Sequence, residues 1–290
     1  MSSSHTFNDT EKTYLSPVES LNDKVVIITG ASSGIGKALA YDLAGRKARL
    51  ALAARNLEEL NLVKNDLESH ADDIMVHQTD VSDESQCREL IDRCIEHFGR
   101  IDVLINNAGI SMRATLEDMD LDVFKKVLDV NLMGAVYCTK YALPHLLKTK
   151  GSVVGVSSIA GYVGLPARTA YSSSKYALQG FLDALRTENR KTGLHVLVAC
   201  PGYTESNIRK RALNAEGRSQ DESPLREERI MPASEVARHI ANAIERRKRT
   251  LNLTFEGKMA VFLSKFFPSF IEGMVFRKVT SETESPIRLK

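Results

Sequence analysis

The sequence predicts an α/β fold, one doubly wound parallel sheet followed by a C-terminal helical extension, and three observations predict it. Short apolar runs alternate with longer segments of helical length and period from Lys24 onward. Several of these runs are almost wholly apolar, as strands covered on both faces are. The first run ends in a glycine-rich turn that opens a helix.

Taken in order, the expected strands are Val25 to Thr29, Arg49 to Ala54, Ile74 to Thr79, Val103 to Ile105, Val153 to Ser157 and His195 to Cys200. The segments between them, among them Lys37 to Ala44, Leu57 to Ser69 and Glu84 to His97, read as helices. In such a sheet the ligand site lies beyond the carboxyl ends of the strands, so the residues just after each run are the place to look for chemistry.

Composition narrows the function. Of 290 residues, 43% are hydrophobic and 26% charged, ordinary for a chain with a sizeable core. The net charge of +2 is small and the basic residues are interspersed with acidic ones, which argues against a nucleic-acid partner and for a small-molecule one. Cys87, Cys94, Cys138 and Cys200 stand apart without clustered histidines, so no metal site and no disulfide framework is expected, and a cytoplasmic setting fits. Residues 1–20 read as a flexible polar tail, neither signal peptide nor span, and residues 21–250 as one dinucleotide-binding catalytic domain.

Gly30, Ser32, Ser33, Gly34, Ile35 and Gly36 form the turn after the first strand. Glycines there permit a tight bend and let backbone N–H groups approach a pyrophosphate at the positive end of the helix. Further along, Tyr171 and Lys175 are four residues apart and so share a helix face. A tyrosine, with a pKa near 10, becomes a useful base only where positive charge stabilises its phenolate, and Lys175 supplies that charge.

With Gly-x-x-x-Gly-x-Gly at Gly30, Gly34 and Gly36, Asn106-Asn107-Ala108-Gly109 after the fourth strand and Tyr171-Ser172-Ser173-Ser174-Lys175, the chain resembles the short-chain dehydrogenase/reductase family, from about Lys24 to Arg247. It is most similar to the branch with 11β-hydroxysteroid dehydrogenases and 3-ketosphinganine reductases. The resemblance implies a catalytic set of Asn131, Ser158, Tyr171 and Lys175. Tyr171 would exchange a proton with the substrate oxygen as hydride moves to or from the cofactor, Ser158 would hydrogen-bond that oxygen, and Asn131 would hold a water linking Lys175 to solvent. Ser158, thirteen residues before Tyr171, matches the family's serine, with Ser157 the competing neighbour.

The resemblance also assigns Asp80 and Val81 to adenine contact, although Asp80 is equally a candidate cap for the following helix. It assigns Asn107, Ala108, Gly109, Pro201, Gly202 and Thr204, together with Tyr171 and Lys175, to the cofactor. The choice of NADP(H) rests on Arg55, which ends the second strand where NAD-binding proteins place a carboxylate. Against it, Arg55 is also readable as a solvated strand-end charge. Ser32 and Ser33 moreover fill turn positions where NADP-preferring relatives often carry a base.

Residues 203–231 are polar and read as a substrate-covering loop, with Tyr203, Thr204 and Ile208 near the pocket. Residues 251–290 contain six of the ten phenylalanines, and Met259, Phe262, Leu263, Phe266 and Phe270 would form one stripe on a helix that Pro268 divides. The stripe either packs on the domain or a dimer partner, or places residues 251–278 at a membrane surface. Thr280 to Lys290 reads as a polar tail. The expected activity is NADP(H)-dependent hydride transfer to or from an apolar, lipid-like or steroid-like ketone or secondary alcohol, in a homo-oligomer. A 3-oxoacyl thioester reductase using Arg209, Lys210 and Arg211, and a nucleotide-sensing protein without turnover, are the alternatives.

Overall fold

The computed structural model describes residues 18–69, 73–202, 204, 208–220, 230–282 and 285–287. Seven parallel strands form one sheet in the order β3-β2-β1-β4-β5-β6-β7. They are β1 (Val25–Thr29), β2 (Arg49–Ala54), β3 (Ile74–Gln78), β4 (Val103–Asn106), β5 (Ser152–Val156), β6 (His195–Cys200) and β7 (Thr250–Asn252). Helices α1 (Gly34–Gly45), α2 (Leu57–Leu67), α3 (Glu84–Phe98), α4 (Leu121–Leu128), α5 (Gly134–Thr149), α6 (Thr169–Glu188) and α7 (Ala233–Glu245) cover its two faces, and α8 (Phe255–Phe266) and α9 (Pro268–Thr280) follow. This is the expected doubly wound, Rossmann-type architecture.

The apolar strands explain the layering. Side chains alternate across the sheet, so Val26 and Ile28 enter the core under α1 and α7, while Val25 and Ile27 enter the opposite core under α3, α5 and α6. All of β1 is buried, which a strand with one wet face could not tolerate. The chain order reverses between β1 and β4, so their carboxyl ends open the crevice in which such sheets bind ligands.

β7 was not expected. It has three residues, two of them polar, and only its pairing to Val198, Ala199 and Cys200 makes it a strand. It also places the first residues of the expected extension inside the catalytic sheet. Where the acidic cap of α3 was in question, Asp83 fills the position, its carboxylate accepting from the backbone of Ser85 and Gln86, while Asp80 bonds Ser82.

Two expected tails differ from what the structure shows. Glu19 is tied to the end of α7, through its backbone N–H to Glu245 and its carboxylate to Arg247 at 3.1 Å. Glu282, in the expected C-terminal tail, has a side chain only 5% exposed and pairs with Arg113 and Arg168. Opposite charges distant in sequence carry no local pattern, which is why neither contact was foreseen. Residues 1–17 lie outside the described residues.

Candidate active site

The glycine turn fits a nucleotide because close approach leaves no room for side chains. Gly30 (φ 67°) and Gly34 (φ 55°) take left-handed backbone conformations. A Cβ on Gly36 would lie 2.1 Å from the Gly30 carbonyl oxygen, and one on Gly30 2.9 Å from Ala108 Cα. The turn is pinned to the end of β4: Asn107 Nδ2 donates to the carbonyls of Thr29 and Gly30, and the Thr29 hydroxyl accepts from the backbone N–H groups of Asn107 and Ala108. Helix α1 has no side-chain cap and no acidic residue in its first turn, so its positive end is left for an anion.

Two open depressions lie near the carboxyl ends of β1, β2 and β3, the second of them at this turn. One, of about 720 Å³, is lined by Arg55, Asn56, Leu57, Glu58 and Gln78. The other, of about 330 Å³, is lined by Ser32, Ser33, Gly34, Lys37, Glu59, Leu62 and Arg211. Arg55 is exposed, with its carbonyl accepting from Gln78 Nε2. Lys37 and Arg211 were missed as neighbours of the turn. Lys37 is one helical turn into α1, and Arg211 arrives from the loop after β6, ion-paired to Glu59 at 3.7 Å. Asp80 is partly exposed and Val81 is buried against Gly134.

At the other end of the crevice, α6 presents Tyr171 and Lys175 on one face, with Lys175 Nζ 5.7 Å from the Tyr171 ring centroid. Lys175 is nearly inaccessible and donates to the Val156 carbonyl at the end of β5, 2.9 Å away. Burial draws its pKa down to about 8. Burial pushes the Tyr171 phenol up, and a hydrogen bond with Ser158 and the nearby Arg168 charge oppose that rise. Ser158 thus meets Tyr171, while its hydroxyl also accepts from the Ala160 N–H at the following 3-10 turn.

Ser157 and Ser158 both lie past the end of β5, so strand alternation does not separate them as expected. Their bonds do. Ser157 is buried, accepts from Gln179 Nε2 at 3.0 Å and donates to the Lys175 carbonyl, facing away from the crevice into the base of α6.

Asn131 sits in a π-helical turn, Asp129–Met133, between α4 and α5. Such turns re-aim one side chain out of helical register. Its Oδ1 accepts from the Ile110 N–H at 2.7 Å, and its Nδ2 donates to the Ile110 carbonyl and to Ser174 Oγ, each at 2.9 Å. Both amide hydrogens are therefore committed to fixing the segment after β4 against α6. This is a clamp, and the expected role of water holder does not describe it fully. Gly109 lies between Asn131 and Lys175, where a Cβ would be 3.2 Å from Asn131 Oδ1 and 3.5 Å from Lys175 Nζ.

After β6, Pro201 is buried and the Thr204 hydroxyl donates to the Gly202 carbonyl. Tyr203 lies outside the described residues, as do residues 205–207 and 221–229 of the expected covering loop. The part from Ile208 to Gln220 is not the loose lid its polarity suggested. Leu213 joins Met112, Ala114, Val123 and Val127 in a third apolar cluster, and Leu213 bonds the backbone of Ser111 and Arg113.

The C-terminal helices touch this site at their start. Thr254 caps α8 by accepting from the Gly257 N–H, and its methyl is so close to Gly202 that a Cβ there would lie 2.5 Å away. Beyond that seat the extension is one broken pair, turned at Phe267 and Pro268. Ile271 and Val279 anchor α9, but Phe262, Phe266, Phe267 and Phe270 are 57–64% exposed, so the expected stripe does not pack on its own domain. Among the described residues, no helix is long and apolar enough to cross a membrane, and no cluster of three or more His, Cys, Asp or Glu could hold a metal ion.

Comparison with known proteins agrees with this geometry. A family model described as short chain dehydrogenase matches residues 24–217. Dehydrogenase/reductase SDR family member 7B of Mus musculus is 34% identical over 277 residues, covering 93% of this chain and 84% of its own. 11-beta-hydroxysteroid dehydrogenase A of Arachis hypogaea is 37% identical over 263 residues, covering 88% and 75%. An alcohol dehydrogenase from the archaeon Thermococcus sibiricus, solved in complex with 5-hydroxy-NADP, superposes with a TM-score of 0.70 at 26% identity, covering 79% of this chain and 94% of that one.

Proposed function

We propose, from the premise that the chain belongs to the short-chain dehydrogenase family and is an oxidoreductase acting on CH–OH/C=O groups with a nicotinamide cofactor, that it transfers hydride between NADP(H) and an apolar, lipid-like or steroid-like ketone or secondary alcohol. The observation that carries this reading is the meeting of Tyr171 with Ser158 and Lys175 at the crevice beyond β4, β5 and β6. The cofactor supplies the hydride. Tyr171 delivers a proton to the carbonyl oxygen in reduction and removes it in oxidation, and Ser158 donates a hydrogen bond to the same oxygen. Lys175, still mostly protonated at neutral pH with a pKa of about 8, stabilises the phenolate. Asn131 holds the backbone at Ile110 in place.

Pyrophosphate fits the turn at Gly30, Gly34 and Gly36. A 2′-phosphate would find Arg55 on one side, and Ser32, Ser33 and Lys37 on the other, where Arg211 is paired with Glu59. The placement of Arg211 beside Glu59 also takes it out of the basic patch that a 3-oxoacyl carrier reading needs. Apolar substrate and peripheral membrane contact go together: the exposed phenylalanines of α8 and α9 are fringed by exposed Lys258, Lys265, Arg277 and Lys278, as a helix pair resting on anionic lipid would be. We place the protein in the cytoplasm, where four buried free thiols are at home, as a homo-oligomer built on the helices that carry Asn131 and Tyr171.

The test is NADPH consumption against ketones graded from short and polar to long-chain and steroidal. Turnover should rise along the series, and Tyr171→Phe should lose roughly 10²–10⁴-fold while binding NADPH normally. Near-normal turnover by that variant would refute the assignment. For the surface, Phe266→Ser with Phe270→Ser should abolish flotation with anionic liposomes without cutting into β7, as removal of residues 251–290 would.

A further inference from the structure

One buried carboxylate ties together three segments that frame the crevice. Glu282, just past α9, has Oε1 and Oε2 at 3.3 and 3.0 Å from Arg168 Nη2, and Oε2 at 3.4 Å from Arg113 Nε. All three side chains are sequestered, at 5%, 13% and 9% exposure for Glu282, Arg168 and Arg113. Arg168 is the residue before α6, and its carbonyl accepts from the Ser172 N–H in the turn that carries Tyr171. Arg113 lies three residues after Ile110, the residue that Asn131 grips, and its backbone bonds Leu213 and Gln220 of the covering loop. Ala114 and Arg168 form a β-bridge, so the two arginines enter from adjacent strands of chain.

We propose that Glu282 is a positioning residue for the reaction: by pairing with Arg113 and Arg168 together, it locks the first turn of α6 and the segment after β4 to the end of α9, and it neutralises the arginine charge beside Tyr171. A buried pair that loses one partner leaves an uncompensated charge, so without Glu282 the two arginines hold their segments less firmly and the Arg168 charge beside Tyr171 is no longer offset. Ser158 and Lys175 lie beside Tyr171 and the Cys200 and Arg168 side chains act on it through space, while those facing Glu282 are Arg113 and Arg168. Of these, Arg168 is common to both, and its charge favours the phenolate.

This inference rests on Tyr171 being the proton-handling group, and the experiment separates the two. In the full chain, Glu282→Gln keeps the shape and removes the charge, and Glu282→Asp keeps the charge on a shorter arm. The pH profile of alcohol oxidation should show the rising limb of Glu282→Gln displaced by about half a unit to lower pH, because Arg168 is no longer offset. KM should rise several-fold with a smaller change in kcat, and Glu282→Asp should restore most of both. Hydrogen exchange, which needs no turnover, should quicken at 110–115 and 168–172 in Glu282→Gln. An unmoved limb and unchanged KM in a wild type that does turn over would overturn the proposal. If the wild type turns over nothing, the oxidoreductase reading fails by itself, and unchanged exchange at those two segments would then overturn the positioning role.

Discussion

The sheet and the C-terminal helix pair are both rich in large apolar side chains, and they treat them in opposite ways. Ile27, Ile28, Leu50 and Leu52 have no exposure at all, whereas Phe266 and Phe270 are 63% and 64% exposed. The difference is one of partners. A parallel sheet receives a helix on each face because every crossover must return across it, so burial is built into the topology. Helices α8 and α9 come after the last crossover and are held along one side, at Thr254, at Gly257 against Ile159, and at Ile271 and Val279, with their phenylalanines outside that seat. Apolar content therefore reports burial in one region and an unmet surface in the other.

That contrast can be broken first in the sheet. Leu52→Ala should cost about 2–5 kcal/mol, read by denaturant unfolding, because the cavity has no room to collapse. Phe270→Ala should change stability by less than about 0.5 kcal/mol. Comparable losses at both positions would mean the phenylalanines are covered in solution.

A second difference is electrostatic. His195 in β6 is buried, its Nε2–H donating to the Lys248 carbonyl and its Nδ1 accepting from Ser152, and burial draws its pKa to about 4. The folded value lies below the unfolded one, so stability is complete above pH 6.5, falls as the pH drops towards 4 and flattens below. The span should be roughly 3 kcal/mol. His195→Asn should flatten that slope, as seen in melting temperature against pH, whereas changes in α8 and α9 should leave it intact.

Gly36→Ala sets a Cβ against backbone and should cost about 1–3 kcal/mol, with cofactor affinity falling further than stability, as titration by fluorescence would show. At Arg55 the expected effect is on cofactor choice alone. Arg55→Asp should leave the fold alone and weaken NADPH relative to NADH by about 10-fold or more, the scale of one charge-assisted hydrogen bond.

The legible features were those with a local signature. Glycines at Gly30, Gly34 and Gly36, the four-residue step from Tyr171 to Lys175 and apolar strands at near-correct bounds all follow from short-range geometry. What was not legible depends on contacts between distant segments: β7 is a strand only through β6, Arg211 reaches the glycine turn from a loop, and Glu282 finds its arginines across the fold. Asn131 stands out in the sequence by family resemblance, but the π-helical turn that spends its amide on Ile110 and Ser174 has no sequence signal. The phenylalanine stripe was visible, though its spacing does not say what covers it.

The near contact between Gly202 and Thr254 bears on how this protein can be re-engineered. The C-terminal helices look like a removable module, yet the Thr254 that caps them fits into a space that exists only because residue 202 lacks a side chain. A chimera that exchanges these helices for those of a relative must bring matching partners at 202, 113 and 168, or the graft will meet the host at a misfitting seam. The unit of exchange is thus a set of residues scattered through the chain, and a cut at any single point divides it.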